Sequence, residues 1–348
     1  MSVNNPLEFF IQLHLTERCN LRCRHCYQNE NRPDEMSLTE VRSVIAETSD
    51  MLRDWTELYG IAFSSSFNIT GGEPFLRQDL FSVLEELNNS GFDTYILSNG
   101  TLISREIAKR LAGLGVKGVQ ISIEGPKEIH DSIRGAGSFA SSLKGIQRLL
   151  DAGIELTLNT TLSEINAPYF MDVIELASSL GVQRLGFSRL VPSGGGKKLL
   201  GSMLKNDELA DLYNKIFSIN TGGLRIVTGD PVASQLRMPD LEDAHADIPS
   251  GGCAAGVSGL TIMPDGTVTP CRRLPVPVGN VRRDSLRDIW ASSEILNDLR
   301  DRSKYVGKCG ACSRWSRCRG CRAIAFAFSE VNGNSSCLAE DPQCFLDN

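Results

Sequence analysis

The sequence lacks any apolar run long enough to cross a membrane, and its first residues show no basic segment followed by a cleavage site. Neither a membrane protein nor a secreted protein is expected, so we predict a cytoplasmic location. The net charge of −6 at pH 7 argues against nucleic acid as the main partner. Hydrophobic residues at 41% and charged residues at 22% are ordinary for a globular chain.

Cysteine is absent from a long central stretch, since none occurs between Cys26 and Cys253. Eleven cysteines in a chain without a secretion signal indicate metal ligands rather than disulfides. The gap separates a cysteine-poor body from a cysteine-rich tail, and 348 residues suffice for two domains. We predict a body over residues 1–236, a linker over 237–252 and a tail over 253–348.

Short β-rich runs alternate with helical stretches along the body. Strands are predicted at residues 9–15, 67–70, 94–98, 118–123, 156–160 and 185–190, with a helix after each. A capping box at Ser37 and Glu40 opens the first helix. This alternation predicts an α/β fold with a parallel sheet. Beyond it, the Pro- and Gly-containing run 192–196 predicts a flexible stretch, followed by a helix at 207–217 and a strand at 224–228.

Three cysteines follow the first predicted strand, at Cys19, Cys23 and Cys26, with the spacing C-x3-C-x2-C. Three thiolates on one short loop suit a 4Fe–4S cluster and leave one iron without a protein ligand. An open coordination position is where a cofactor or substrate binds. The alternatives are buried cysteines or zinc, with His25 as a fourth ligand. His25 lies between two of the cysteines, which is awkward for one tetrahedron.

The loops after later strands carry further candidate residues. Gly71-Gly72-Glu73-Pro74 follows the second strand, where glycine lets the backbone approach a ligand closely. The third strand ends at Ser98 and Asn99, and segments around the fourth strand contribute others. These are Ser122, Glu124 and Arg134, with Asn159 and Arg189 after the fifth and sixth strands. Taken singly, each also fits an ordinary turn, a strand-end cap or a surface ion pair.

The tail holds the other eight cysteines, and four of them lie within 13 residues. Cys309-x2-Cys312-x5-Cys318-x2-Cys321 is dense enough to suit iron–sulfur or zinc ligation. The remaining four are Cys253, Cys271, Cys337 and Cys344. The tail has too few apolar runs for a large core, so bound metal is expected to stabilise it.

These motifs together resemble the radical S-adenosylmethionine superfamily with a C-terminal SPASM domain. The resemblance covers about residues 9–344 and is strongest to the branch with the pyrroloquinoline-quinone and mycofactocin peptide enzymes and the alternative-haem enzymes. It implies a partial (β/α)6 TIM-type barrel followed by a small cysteine-rich SPASM domain with Fe–S clusters. It also implies that the amine and carboxylate of S-adenosylmethionine chelate the iron left open by Cys19, Cys23 and Cys26.

The resemblance assigns the strand-end residues to the cofactor S-adenosylmethionine. In the family, the Gly-Gly-Glu-Pro motif holds the methionyl amine, and a Ser and an Arg bind the ribose or carboxylate. Tyr27 is expected to pack on the adenine, and Glu124 stands where Asp is commoner. The implied cofactor-binding residues are Tyr27, Gly71, Gly72, Glu73, Pro74, Ser98, Asn99, Ser122, Glu124, Arg134, Asn159 and Arg189. No catalytic acid or base is assigned.

For the tail, the resemblance implies auxiliary 4Fe–4S clusters, and eight cysteines favour two. Cys253, Cys271 and either Cys321 or Cys344 are expected around the first cluster. The second is expected to use Cys309, Cys312 and Cys318, and Cys337 is unassigned. Many relatives have another cysteine where this chain has residues 256–259 without a thiol. One cluster is therefore expected to have an open or non-cysteine ligand, and zinc is the alternative metal.

The implied reaction is generation of a 5′-deoxyadenosyl radical that abstracts hydrogen from a substrate. A ribosomally made precursor peptide is the first expectation, and a small-molecule enzyme such as a porphyrin side-chain decarboxylase is the alternative. A non-catalytic iron–sulfur carrier is a third possibility. A sulfatase-type maturase is disfavoured because that group has Asp where this chain has Arg272. A flavodoxin- or ferredoxin-type electron donor is the expected partner. Because only 18 residues precede Cys19, a peptide substrate would need a separate peptide-recognition protein or direct capture of the peptide in the barrel.

Overall fold

Six parallel strands form the centre of the structure, a computed structural model that describes residues 6–28, 34–236 and 247–346. They are β1 (Leu7–His14), β2 (Phe63–Thr70), β3 (Asp93–Ser98), β4 (Gly118–Ser122), β5 (Leu156–Leu162) and β6 (Arg184–Arg189). Each strand pairs in parallel with the next in chain order. A shorter strand, β7 (Arg225–Thr228), pairs in parallel with β6. The predicted partial barrel is confirmed.

Helices connect these strands, as parallel pairing requires. They are α1 (Leu38–Tyr59), α2 (Leu80–Asn89), α3 (Arg105–Gly113), α4 (Lys127–Arg134), α5 (Ser138–Asp151), α6 (Phe170–Ser179), α7 (Asn206–Ser218) and α8 (Pro231–Gln235). The predicted capping box opens α1, since Ser37 accepts from the Glu40 backbone and Glu40 accepts from the Ser37 backbone. The sequence did not predict α4. None of the helices in the described segments is both long and apolar enough to cross a membrane.

The tail adds three strands and four helices within the described residues. They are β8 (Gly259–Ile262), β9 (Thr267–Thr269), β10 (Gly279–Asn280), α9 (Leu286–Ser292), α10 (Glu294–Arg300), α11 (Gly307–Ala311) and α12 (Arg322–Val331). The sheet order is β10-β9-β8-β1-β2-β3-β4-β5-β6-β7. The first tail strand therefore continues the sheet of the body, on the free edge of β1.

The contact between β8 and β1 is close. The Phe10 backbone N–H donates to the Ser258 carbonyl at 3.0 Å, and Gly259 pairs directly with Phe10. A Cβ at Gly259 would stand 2.8 Å from the Phe10 ring, so this register needs a glycine. One apolar core cluster accordingly includes Leu13 of β1 and Leu260 of β8. The domain boundaries stay a prediction, and most of the predicted linker, residues 237–246, lies outside the described residues.

Two contacts define where the cysteine loop, residues 15–28, begins and ends. At its start, the buried Arg77 donates to the carbonyls of Leu15 (2.9 Å) and Met36 (2.7 Å). At its end, the Gly196 N–H donates to the Cys26 carbonyl at 2.9 Å. Gly196 belongs to a short 3-10 helix, Gly194–Ser202, here named the glycine strap.

The glycine strap overlaps the run 192–196, for which flexibility stays a prediction. Gly194 has φ +55°, and a Cβ there would overlap the backbone of Tyr27 and Gln28. The strap thus packs directly on the cysteine loop, and its glycines allow this close approach.

Candidate active site

The carboxyl ends of the barrel strands surround a cavity of about 1180 Å³. Loops at this end of parallel strands are where barrel enzymes bind ligands. All three cysteines of the cysteine loop line the cavity. Eight of the twelve residues predicted to bind the cofactor also line it, namely Tyr27, Gly71, Gly72, Ser98, Asn99, Ser122, Arg134 and Asn159.

The sulfurs of the cysteine loop have hydrogen-bond donors around them. The Leu21 backbone N–H donates to Cys19 Sγ at 3.4 Å, and Arg134 Nη1 donates to Cys23 Sγ at 3.8 Å. Burial raises the pKa of the Cys26 thiol to about 11. Hydrogen-bond donors and a nearby cation stabilise thiolates that are bound to iron. They also help to set the reduction potential of a cluster. Three half-buried thiols facing one cavity, with donors to sulfur, are a donor set that fits a cluster with one open iron.

The two glycines after β2 let the loop that follows β2 pack against the cysteine loop. The Gly72 N–H donates to the Thr16 carbonyl at 2.7 Å, and the Glu73 N–H donates to the Arg18 carbonyl at 2.8 Å. A Cβ at Gly72 would stand 2.7 Å from the carbonyl carbon of Arg18. Gly72 is not among the residues with positive φ. Its lack of a side chain therefore serves contact with the cysteine loop, which in turn shapes the cavity.

Glu73 is buried and does not line the cavity. Its carboxylate accepts from Ser98 Oγ at 2.9 Å and from the Asn99 backbone N–H at 2.9 Å. Burial raises the pKa of Glu73 to about 7, although these hydrogen bonds oppose the shift. Glu73 thus joins the loop after β2 to the end of β3, while neighbouring Ser98 and Asn99 reach the cavity.

Glu124 is also fully buried, between two side chains that do line the cavity. It pairs with Arg134 at 2.6 Å and lies 3.2 Å from His25 Nε2. Burial would raise the pKa of Glu124, but the Arg134 guanidinium and His25 outweigh it and hold that pKa below its usual range. Glu124 holds the His25 ring through Nε2, and His25 Nδ1 has no hydrogen-bond partner among the described residues. Glu124 also aims Arg134 at Cys23.

Arg189, predicted to contact the cofactor, does not line the cavity. Its guanidinium is buried and pairs with Asp230 at 2.5 Å and Asp341 at 2.7 Å. Asp341 also accepts from the Cys321 backbone N–H at 2.7 Å. The geometry gives no support to a cofactor contact by Arg189 and instead shows a link from β6 to the tail. Pro74 is likewise buried and outside the lining.

Sequence reasoning missed the charge of the cavity wall. One acidic side chain, Glu17, appears among the residues that line this cavity. Seven cationic residues line it, namely Arg18, Arg22, Arg24, Arg134, Lys198, Arg272 and Arg273. The signal was visible in part, because Arg22 and Arg24 alternate with the cysteines and Arg272 and Arg273 directly follow Cys271.

Most of these cations have no carboxylate partner among the residues that the structure describes. Arg18 pairs with Glu35, and Arg134 pairs with Glu124. In the part of the chain that the structure describes, the other five cationic side chains make no ion pair within 4.0 Å with a carboxylate. Arg272 lies over the Tyr27 ring, 5.7 Å from its centroid. The wall can therefore attract and hold anionic groups of a ligand.

Glu17 forms a small polar network at the edge of the cavity. Gln28 Nε2 donates to Glu17 at 2.9 Å and lies 2.7 Å from His14 Nε2. Burial raises the pKa of Glu17 to about 7, and Asp265 and Glu35 add to the shift. Burial lowers the pKa of His14 to about 3, with Arg272 adding to it. His14 is therefore neutral at pH 7, and Glu17 is the acidic side chain that can exchange a proton there.

Three of the tail thiols lie at one buried apolar cluster. In the inner thiol group, Cys271 and Cys337 pack against a buried apolar cluster that contains Cys321. Burial raises the pKa of Cys321 to about 12, Arg273 opposes the shift, and Cys253 adds to it. Burial also raises the pKa of Cys337, with Arg322 opposing and Cys253 adding. These three, Cys271, Cys321 and Cys337, are named the inner thiol group.

The outer thiol group is Cys309, Cys312, Cys318 and Cys344. Burial raises the pKa of Cys318 above its ordinary value, and the Cys344 and Cys309 thiolates add to the shift. Backbone N–H groups donate to Cys312 Sγ and Cys318 Sγ, each at 3.4 Å. The sequence left open whether Cys321 or Cys344 joins Cys253 and Cys271. Which of the two joins Cys253 and Cys271 stays a prediction.

A buried arginine lies between the two thiol groups. Arg322 donates to the Cys337 carbonyl at 3.0 Å and to Cys309 Sγ at 3.5 Å. Its side chain is almost fully buried and pairs with no carboxylate within 4.0 Å in the described residues. A buried cation needs compensating negative charge. Thiolates of iron–sulfur clusters on both sides would supply it, which is a second sign that the donor set fits such clusters.

Comparisons with known proteins agree with this site. A model of the Radical SAM superfamily matches residues 13–177, and a model of an iron–sulfur cluster-binding domain, SPASM, matches residues 253–322. The AdoMet-dependent heme synthase of Oleidesulfovibrio alaskensis is 31% identical, over 98% of this chain and 88% of that protein. The mycofactocin maturase MftC of Mycobacterium tuberculosis is 30% identical, over 90% of this chain and 78% of that protein.

A solved structure with the same fold is Streptococcus suis SuiB bound to S-adenosylmethionine. Its TM-score is 0.75 at 16% identity, over 98% of this chain and 78% of that one. The matches confirm the predicted cofactors, S-adenosylmethionine and iron–sulfur clusters, and show an enzyme rather than an iron–sulfur carrier. The chain therefore belongs to the radical S-adenosylmethionine superfamily and carries a SPASM iron–sulfur cluster-binding domain in its tail.

Proposed function

We propose that the cavity is the place where S-adenosylmethionine is cleaved and where the substrate loses a hydrogen atom. The observation that carries this is the shared lining, since the three loop cysteines and eight predicted cofactor residues face one space. When bound, the cluster supplies one electron that splits S-adenosylmethionine into methionine and a 5′-deoxyadenosyl radical. The chain supplies binding, orientation and exclusion of water.

Different residues of the cavity wall contribute to binding, to orientation and to exclusion of water. Arg134, held by Glu124, is placed to bind a carboxylate or ribose hydroxyl of the cofactor beside Cys23. Ser98 and Asn99, joined by Glu73, present polar groups at the end of β3. Tyr27 offers its ring under Arg272. The glycine strap closes the cavity on the side of Cys26 and limits access of water.

The cationic wall indicates that the substrate bears carboxylates. Three of the unpaired cations, Lys198, Arg272 and Arg273, come from the glycine strap and the tail rather than from the cysteine loop. They are thus separate in sequence from the loop residues that serve the cluster. An acidic precursor peptide is the first candidate, and the match to the mycofactocin maturase MftC supports a peptide-modifying role. An extended peptide suits cations that are spread over separate segments of the wall.

A small carboxylated ring is the second candidate. The match to the AdoMet-dependent heme synthase extends over 98% of this chain, which supports a tetrapyrrole substrate whose side-chain carboxylates meet the same cations. A cytoplasmic location, a flavodoxin- or ferredoxin-type electron donor and a separate peptide-recognition protein complete the proposal. All of them are compatible with a cavity that lies at the mouth of the barrel.

Anaerobic turnover tests the proposal. The protein, reconstituted with iron and sulfide, is given S-adenosylmethionine and dithionite, and 5′-deoxyadenosine is measured by mass spectrometry. We expect product from the intact chain and none from the Cys19→Ala/Cys23→Ala/Cys26→Ala variant. Equal product from both proteins would contradict the proposal.

The same assay compares the two substrate classes. An acidic peptide encoded beside this chain and an iron porphyrin with propionate side chains are each added. The class on which the enzyme acts should raise 5′-deoxyadenosine formation. The added substrate of that class should itself change in mass. With deuterated substrate, the deuterium should appear in 5′-deoxyadenosine.

A further inference from the structure

We propose that Asp341 is a positioning residue for the iron–sulfur clusters of the tail. Its carboxylate, held and offset in charge by Arg189 of β6, fixes the backbones of Cys321 and Cys344 and joins both to the barrel. The inference rests on the SPASM assignment of the tail and on the prediction that these two cysteines are cluster ligands. It depends neither on which cluster each cysteine serves nor on the class of substrate.

Asp341 contacts the backbone of both cysteines. Its Oδ2 accepts from the Cys321 N–H at 2.7 Å, and its carbonyl accepts from the Cys344 N–H at 3.1 Å. The glycine directly before Cys321, Gly320, has φ +61°, and a Cβ there would stand 2.6 Å from Asp341 Cβ. The chain therefore leaves room for this buried carboxylate beside Cys321, at the start of α12.

The Arg189 guanidinium holds the Asp341 carboxylate through two bonds. Nη1 donates to Oδ1 at 2.9 Å, and Nη2 donates to Oδ2 at 2.7 Å. On its other side the guanidinium pairs with Asp230, which also accepts from the Tyr213 hydroxyl at 3.2 Å. A planar guanidinium binds a carboxylate in a fixed geometry. The position of Asp341 is therefore set by the end of β6.

Two further bonds join the segment 341–344 to the body. Gln343 Nε2 donates to the Leu204 carbonyl at 2.7 Å, and Asn206 Nδ2 donates to the Cys344 carbonyl at 3.3 Å. Leu204 follows the glycine strap, and Asn206 is the first residue of α7. The last cysteine of the chain is thus held against the barrel by its own carbonyl and by its neighbours.

Arg189 also stands next to the wall of the cavity. Its carbonyl accepts from Arg273 Nη1 at 3.4 Å, and Arg273 lines the cavity. Val191, two residues further along the chain, lines the cavity as well and belongs to the buried cluster that contains Cys321. The link between Asp341 and Arg189 therefore sets how the Cys321 thiol lies relative to the cavity.

The charge of Asp341 gives this link an effect beyond packing. Net charge and hydrogen bonds around a cluster help to set its reduction potential. A buried carboxylate beside a ligand disfavours the gain of an electron, because charges act strongly where water is excluded. Arg189 opposes this effect at the same carboxylate. Loss of the Asp341 charge should therefore raise the reduction potential of a tail cluster, and loss of the Arg189 charge should lower it.

The test uses the Cys19→Ala/Cys23→Ala/Cys26→Ala protein, in which only tail clusters remain. This parent protein is reconstituted with iron and sulfide, and the midpoint potentials of its clusters are measured by electron paramagnetic resonance during a redox titration. Asp341→Asn keeps an oxygen that accepts from the Cys321 N–H but loses the negative charge. We expect Asp341→Asn to keep the iron content of the parent and to shift at least one midpoint potential upward.

Glu340→Gln is the matched control. It removes the same charge from the adjacent residue, which is exposed, so that solvent and salt screen the effect. We expect this variant to change neither the iron content nor the midpoint potentials.

Replacement of Arg189 supplies the opposite sign. Arg189→Met should shift the same midpoint potential downward, whereas Arg189→Lys keeps the charge and should stay closer to the parent. A tether that is only structural would lower stability without shifts of opposite sign. The proposal is overturned if Asp341→Asn matches the parent in midpoint potentials and spectrum, if both replacements shift the potential in one direction, or if the parent holds no iron. Asp341→Asn carries the test even if Arg189→Met does not fold.

Discussion

A single methyl group at Gly72 should disrupt the cysteine loop. In Gly72→Ala the new Cβ would stand 2.7 Å from the carbonyl carbon of Arg18 and 2.8 Å from the carbonyl oxygen of Glu17. Ordinary contacts of a Cβ lie at 3.4–4 Å. Because the opposing atoms are backbone, no side chain can rotate away, and the loop itself must move.

The size of the effect follows from what this movement costs. Overpacking costs about 1–3 kcal/mol. The hydrogen bonds from Gly72 to Thr16 and from Glu73 to Arg18 cross the same contact, and weakening them adds about 0.5–1.5 kcal/mol each. We expect a loss of roughly 2–6 kcal/mol in the free energy of unfolding. The displaced loop should also hold less iron, with a parallel loss of 5′-deoxyadenosine formation.

Gly113→Ala is the matched control. A Cβ at Gly113, the last residue of α3, would meet nothing within 4 Å. Alanine in a helix is better than glycine by up to about 1 kcal/mol, so this variant should be as stable as the parent or more so. Urea unfolding and iron analysis of both variants decide the matter. If Gly72→Ala equals Gly113→Ala in stability, iron and cofactor cleavage, the close contact is not what requires the glycine.

Three further outcomes are expected. The pKa of Glu73 is raised from 4.5 to about 7, so the folded state should lose stability as pH rises through that range. Glu73→Gln should reduce the difference in unfolding free energy between pH 5 and pH 7.5, measured by urea unfolding. An unchanged difference would contradict this prediction. Arg272→Ala should weaken binding of an acidic peptide about tenfold, the loss of one charge-assisted contact, while cofactor cleavage without substrate persists; unaltered binding would exclude Arg272 from the substrate site. Arg189→Ala leaves Asp230 and Asp341 buried without their cation and should lower the free energy of unfolding by about 3–5 kcal/mol. A loss below about 1 kcal/mol would contradict this prediction.

The barrel was predictable because its signals are local. The capping box at Ser37 and the alternation of strand and helix both lie within a few residues of what they determine. By contrast, β8 is four residues long, and its membership of the sheet depends on β1, far away in the chain. No local sequence pattern predicts such a pairing of distant strands. The helix α4 was missed because its residues were assigned to a ligand motif.

The sequence predicted which strand end each site residue lies at, but not which way its side chain points. A motif shows which strand a residue follows, but neighbouring side chains face opposite ways. Gly72 therefore meets the cysteine loop, and Glu73 beside it turns inward to Ser98. Arg189 has its second partner 152 residues away, at Asp341. The packing of the glycine strap was not predicted because composition does not reveal the loop on which it packs.

The pairing of β8 with β1 has a consequence for the order of events at the ribosome. The side chains of Gln12 and Thr261, which bond across the two strands, are 249 positions apart. While the chain is being made, this edge of β1 stays without β8 until residue 262 of 348 has been synthesised. Exposed strand edges attract other chains. The cysteine loop starts directly after β1, so iron loading before β8 has emerged would act on a scaffold still open on one side, and we expect assembly factors to act after β8 has emerged.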